Sequence, residues 1–92
     1  MAVKEATIEK LLGLCVERLG GICEKVTVLG RRGFVDRMVI LPGGRIIFIE
    51  VKRPKGGRVS MNQRWWHARL KALGVAVAIV RNVEDIDRAL LK

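Results

Sequence analysis

The segment FVDRMVIL, residues 34–41, and the segment RIIFIEVKR, residues 45–53, are separated only by Pro42, Gly43 and Gly44. Both segments are rich in β-branched and other apolar side chains, and a proline followed by glycines is turn chemistry, so the stretch predicts an antiparallel β-hairpin. A hairpin dictates which side chains meet. With the turn centred on Gly43, residues equidistant from it lie opposite one another and share a face of the sheet. Asp36 then stands beside Glu50. A two-residue turn at Gly43 and Gly44 shifts the register by one and brings Arg37 opposite Glu50 instead, which leaves two pairings open. Lys52 follows Glu50 by two and shares its face in either register.

Around the hairpin, periodicity sets an α-β-β-β-α-β-α order. Ile8, Leu11, Leu12, Cys15, Val16 and Leu19 recur at helical spacing, and Gly20 and Gly21 supply a left-handed stop. In ICEKVTVLG, residues 22–30, the apolar Ile22, Val26 and Val28 suggest a short strand, followed by a basic loop at 30–33. Ser60 reads as the N-cap of a helix running to Leu73 and closed by Gly74. VAVAIV, residues 75–80, is a continuous apolar run of the kind that suits a strand buried on both faces, and a closing helix is expected at 84–91. No repeat, linker or low-complexity segment interrupts this order. Residues 1–92 therefore read as a single α/β domain, a mixed central β-sheet flanked by helices.

Charge narrows the partners. Eighteen Lys and Arg against nine Asp and Glu leave a formal net charge of +9 in 92 residues, a field that favours a polyanion, of which nucleic acid is the commonest. Anionic membrane is disfavoured, because the basic residues are spread along the chain and the apolar runs at 46–49 and 75–80 are of strand length. Residues 1–8 carry Lys4 and Glu5 and no long apolar core, so no secretory leader is expected and the cytoplasm is the expected compartment. Cys15 and Cys23 lack metal-ligand spacing and, in a reducing compartment, read as small apolar residues. A single histidine argues against a zinc site, and a chain of this size has too modest a core to enclose a large cofactor.

Two carboxylates about 5 Å apart repel unless a cation or a proton lies between them. A hard divalent ion resolves that conflict, since Mg²⁺ takes oxygen ligands and keeps several waters. Asp36, Glu50, the backbone carbonyl of Val51 and water would suffice. An ion so held acidifies a bound water, and with Lys52 it offsets charge building on a phosphate oxygen, a combination suited to cutting phosphodiesters. The plainer reading is a solvated strand end, with Asp36 paired to Arg37 or Arg32. Helix one offers a third carboxylate: Glu5 falls within the stripe of Ile8, Leu12 and Val16 and is expected to point toward the sheet, unless it serves only the helix dipole, while Glu9 is expected at the surface.

Glu5-Ala6-Thr7-Ile8-Glu9, Gly33-Phe34-Val35-Asp36-Arg37, Pro42-Gly43-Gly44, Phe48-Ile49-Glu50-Val51-Lys52, residues 60–63 and Leu73-Gly74 together resemble a VRR-NUC domain. This is the virus-type replication-repair nuclease branch of the PD-(D/E)XK superfamily, and the resemblance spans roughly residues 4–87. A lone E-x-K is a weak signal; joined to the preceding Asp, the hairpin and the following Gln, it is specific. The resemblance implies the PD-(D/E)XK nuclease-like fold and a stand-alone DNA endonuclease dependent on Mg²⁺ or Mn²⁺. It implies metal binding by Asp36 and Glu50 with the Val51 carbonyl, positioning of the nucleophilic water by Lys52, and active-site roles for Glu5 and Gln63, with Glu5 a further possible metal ligand. Single-domain members of this kind occur largely in phages and bacteria and tend to be homodimers acting on branched or flapped DNA, as Holliday-junction resolvases do. The usual proline before the aspartate is Val35 here, a difference that bears on local loop shape.

The remaining candidates have competing roles. Gln63 also completes a Ser60-x-x-Gln63 capping box. His67, one turn further on and on the same face, is placed to touch a DNA phosphate or a leaving group, and its plainer reading is an ordinary surface residue. Trp65 and Trp66 diverge by about 100°, so one belongs to the sheet-facing core and the other is left for a second subunit or an unpaired base. Arg31, Arg32, Arg53, Lys55, Arg58, Arg64 and Arg69, with nearby glycines, are the expected grip on the phosphate backbone. The alternative to an enzyme is a non-catalytic nucleic-acid-binding module using the same basic surface.

Overall fold

A computed structural model of the chain describes residues 3–91. Helix α1 (Glu5–Arg18) is followed by strands β1 (Ile22–Lys25), β2 (Arg37–Leu41) and β3 (Arg45–Val51), helix α2 (Met61–Ala72), strand β4 (Ala76–Val80) and helix α3 (Val83–Leu90). The four strands form one sheet in the order β1-β2-β3-β4. β1, β2 and β3 are antiparallel neighbours, and β4 joins β3 in parallel after the crossover through α2. The sheet is therefore mixed, in the predicted order of elements.

Side-chain alternation assigns the two faces. Ile47, Ile49 and Val51 of β3 and Val39 and Leu41 of β2 face Ile8, Leu12 and Val16 of α1 and Ile86 and Leu90 of α3, forming the core. Each such aliphatic side chain contributes about 1.5–3 kcal/mol when fully buried. The intervening residues, Phe48 and Glu50 among them, face the other way, where α2 packs beside β4. Arg45 closes the core's lower end by donating to the carbonyls of Leu90 at 2.7 Å and Ala89 at 3.1 Å, which have no partner within α3.

The hairpin register is the one centred on Gly43: Arg37 pairs with Ile49 and Leu41 with Arg45. Gly43 and Gly44 both adopt positive φ, 90° and 79°, so the turn needs its two glycines. Two expectations are corrected. The strand at 22–30 covers only Ile22–Lys25, because the chain leaves the ladder to form the loop before Asp36, with Val26 N–H still donating to the Asp36 carbonyl at 2.8 Å. β4 is not buried on both faces. It is an edge strand whose Ala76 and Ile79 are exposed, and α2 covers the sheet only on that side. Toward β1, the cross-strand row Ile22, Ile40 and Ile46 lies on the face opposite the core, with Ile22 and Ile46 exposed.

Candidate functional site

One step beyond the Arg37 to Ile49 pair, the register continues to Asp36 opposite Glu50 on the same face of the sheet, near enough for the Asp36 charge to act on the Glu50 carboxyl. Arg37, the residue the alternative register would have placed there, is on the other side of the strand and pairs with Glu9 at 3.1 Å. Glu9 is accordingly half-buried and engaged rather than a free surface residue. Asp36 is also tied to the next strand, its Oδ2 accepting from the Val51 N–H at 3.1 Å. Lys52 N–H donates to Val80 O on the β4 side at 3.0 Å. Successive residues of a strand direct their backbone groups to opposite edges, so the Val51 carbonyl leaves toward the Asp36 side.

Glu50 is 1% exposed. Lys52 Nζ lies 3.8 Å from its Oε2, and Gln63 Nε2 donates to the same oxygen at 3.0 Å. Gln63 holds both expected roles at once: its Oε1 accepts from the Ser60 N–H at 2.9 Å while the Ser60 hydroxyl accepts from the Gln63 N–H at 3.1 Å, a complete capping box. The cap orients the amide, and the free NH₂ end points at Glu50. Gly33 lets the preceding loop lie against this turn, since a Cβ there would sit 2.6 Å from Asn62 Cβ.

Burial first, and then the adjoining Asp36, push the Glu50 carboxyl up to about 9 against the opposing pull of Lys52. Glu50 Oε1 has no hydrogen-bond partner. Two neighbouring carboxylates, one of them buried with an oxygen unspoken for, form a donor set short of positive charge, and a hard divalent cation fits it. Among the described residues no three His, Cys, Asp or Glu side chains gather into a metal-holding group, so the protein ligands would be Asp36, Glu50 and the Val51 carbonyl. Glu5 is exposed and does not close on the pair, although its charge adds to the pressure on Glu50.

His67 is buried, 6% exposed, with its Nε2 3.5 Å from Glu50 Oε1, and not the surface residue its sequence context implied. Its spacing of four from Gln63 puts the two on one helix face, but that spacing carries no sign of burial. Burial, reinforced by Lys71, holds its imidazole below the usual histidine range. Trp66 is the sheet-facing indole, edge-on to Phe34 at 5.1 Å, and Trp65 is 60% exposed.

Two clefts open onto the group. One of about 190 Å³ is lined by Arg31, Gly33, Asp36 and Gln63, with Arg31 stacked over Trp66 at 5.3 Å. The other, of about 370 Å³, is lined by Lys4, Glu5, Lys52, Arg53 and Arg58. Arg32, Lys55, Arg64 and Arg69 are exposed and line neither. Arg81, which sequence reasoning passed over, pins the loop after Lys52 by donating to Gly57 O at 2.7 Å and Arg53 O at 3.2 Å. Cys15 and Cys23 are free thiols, and burial pushes the Cys23 thiol up, away from reactivity.

No family model matches the chain. The chain is 46% identical over 88 residues to a protein of Acyrthosiphon pisum secondary endosymbiont phage 1 named "Putative nuclease p44", covering 96% of this chain and 92% of that one. Its fold is similar to a solved structure described as a VRR_NUC domain, with a TM-score of 0.89, 33% identity, and 98% and 97% of the two chains covered.

Proposed function

Since the chain belongs to the VRR-NUC family of nucleases, we propose that it hydrolyses DNA phosphodiester bonds as an Mg²⁺- or Mn²⁺-dependent endonuclease of the PD-(D/E)XK type. The observation that carries this reading is the hairpin register that sets Asp36 beside the buried Glu50, with the Lys52 ammonium 3.8 Å from the Glu50 carboxylate. Asp36, Glu50 and the Val51 carbonyl would hold the ion, which when bound acidifies a water and stabilises charge on a phosphate oxygen. Lys52 orients the attacking water and offsets the charge that develops on the phosphate, at a position where low solvent access strengthens its effect. Gln63 fixes the Glu50 carboxylate. Arg31 in one cleft and Arg53 and Arg58 in the other neutralise phosphates to either side of the scissile bond, giving affinity with little base preference.

Residues 1–92 act in this reading as one nuclease domain in the cytoplasm. Its substrates are branched or flapped DNA, and it works as a homodimer. The Ile22, Ile40 and Ile46 row, exposed at its two ends, supports the dimer, because an apolar strip on the sheet face opposite the core is a surface for a second copy.

The test is cleavage of junction, flap and linear duplex DNA with Mg²⁺, Mn²⁺ or chelator. Metal-dependent cutting at branch points is expected. Asp36→Asn, Glu50→Gln and Lys52→Ala should each abolish it while most DNA affinity remains. Tight binding with no cleavage under any condition would identify a non-catalytic DNA-binding module instead.

A further inference from the structure

Helix α2 brings a second side chain to Glu50. His67 Nε2 and Glu50 Oε1 are both buried, lie 3.5 Å apart, and neither has a hydrogen-bond partner. An unpaired buried polar atom costs about 1–3 kcal/mol, so two such atoms aimed at each other call for an explanation. Packing alone does not supply one, because a hydrophobic side chain of the same size would fill the position without stranding a nitrogen. Oε2 is already taken by Gln63 and Lys52. His67 is the group that reaches the other oxygen.

We propose that His67 is a positioning residue, whose Nε2–H donates to Glu50 Oε1 so that α2 grips both carboxylate oxygens, with Gln63 on one and His67 on the other. The contact needs to close by a few tenths of an ångström to reach hydrogen-bond length, within the reach of a small side-chain rotation. Gripped at both oxygens, the carboxylate cannot turn about its last bond, and the plane in which it meets a ligand is set by the helix. An imidazole suits the task because it donates without bringing a full positive charge to compete with a cation for Glu50. Each oxygen keeps a lone pair free for that cation. The kinetic consequence rests on the metal-dependent nuclease reading. The hydrogen bond itself does not.

The chain has one histidine, so its imidazole NMR signals are unambiguous. In the metal-free ¹⁵N-labelled protein the Nε2–H tautomer is expected, with signals that move on Glu50→Ala and on addition of Mg²⁺. The Nδ1–H tautomer, or signals indifferent to Glu50→Ala, would overturn the proposal. In cleavage assays His67→Phe, which keeps the ring and removes the donor, should lose about 10–100-fold in apparent metal affinity or turnover. His67→Gln, whose amide nitrogen mimics Nε2, should recover most of that, and His67→Asn should not. A folded His67→Phe protein with wild-type metal dependence, or a His67→Gln variant no better than His67→Phe, also overturns it. If the wild-type protein cuts no DNA with any metal, the nuclease reading fails, and the tautomer still decides whether His67 holds Glu50.

Discussion

Gln63 donates to Glu50 Oε2 at 3.0 Å through an amide whose other end is fastened to the Ser60 N–H at 2.9 Å. Helix initiation and carboxylate alignment thus share one side chain. Gln63→Glu separates them, since a carboxylate still accepts from Ser60 but offers Glu50 a like charge in place of a donor. The variant should keep a melting temperature near wild type at low pH and lose at least about 10-fold in cleavage. Asn82→Ala supplies the control: it removes the α3 cap, in which the Asn82 side chain accepts from the Asp85 N–H at 2.8 Å, at a cost of about 1 kcal/mol. It lies outside the site and should leave cleavage per folded molecule unchanged.

The raised Glu50 carboxyl makes stability depend on pH. The folded protein keeps this proton up to about 9, whereas an ordinary glutamate releases it near 4.5. Between those values the folded state binds more protons than the unfolded chain, so the contribution is complete below 4.5 and is lost as pH rises toward 9. In chelator, the melting temperature should fall between pH 5 and pH 8 by at least about 4 °C, measured by calorimetry. Glu50→Gln should flatten that slope. Saturating Mg²⁺ should restore the midpoint at pH 8, because binding replaces the proton.

Gly33 couples a loop to the first turn of α2. Its φ of +76° disfavours any side chain, and a Cβ would approach the Gln63 backbone nitrogen to 2.8 Å as well as Asn62. Gly33→Ala should therefore cost more than about 2 kcal/mol and disturb the alignment of Gln63. Denaturant unfolding and cleavage should both show the defect.

DNA affinity should be strongly salt-dependent. Replacing Arg31, Arg53 or Arg58 by Gln should weaken binding to all sequences alike and reduce the slope of log affinity against log salt by about one each. A loss confined to particular sequences would mean that these residues read bases. Fluorescence anisotropy across a salt series measures it.

The element order, the hairpin and the shared face of Glu50 and Lys52 were legible in the sequence, because turn chemistry and a two-residue period specify them locally, whereas Asp36 opposite Glu50 was one of two registers the turn left open. His67 was not: a histidine between a tryptophan and an alanine on a mostly polar helix carries no burial signal, and its position depends on how α2 lies across the sheet. The continuous run at 75–80 misled for a related reason, since alanines at 76 and 78 read as apolar while giving an edge strand little to bury. Arg81 escaped notice because its partners are backbone carbonyls of a loop more than twenty residues away.

The crowding of carboxyl groups at Asp36 and Glu50, which keeps a proton on Glu50, has an apparent escape, which is for β2 to slide along β3 by one residue. Sliding would rotate Val39 and Leu41 out of the core and into water, forfeiting about 3–6 kcal/mol for the two. Greasy side chains on the far surface of the strand thus act as a latch on the acidic pair, and mutations that loosen them would let the protein relieve its own electrostatic tension by disarming itself.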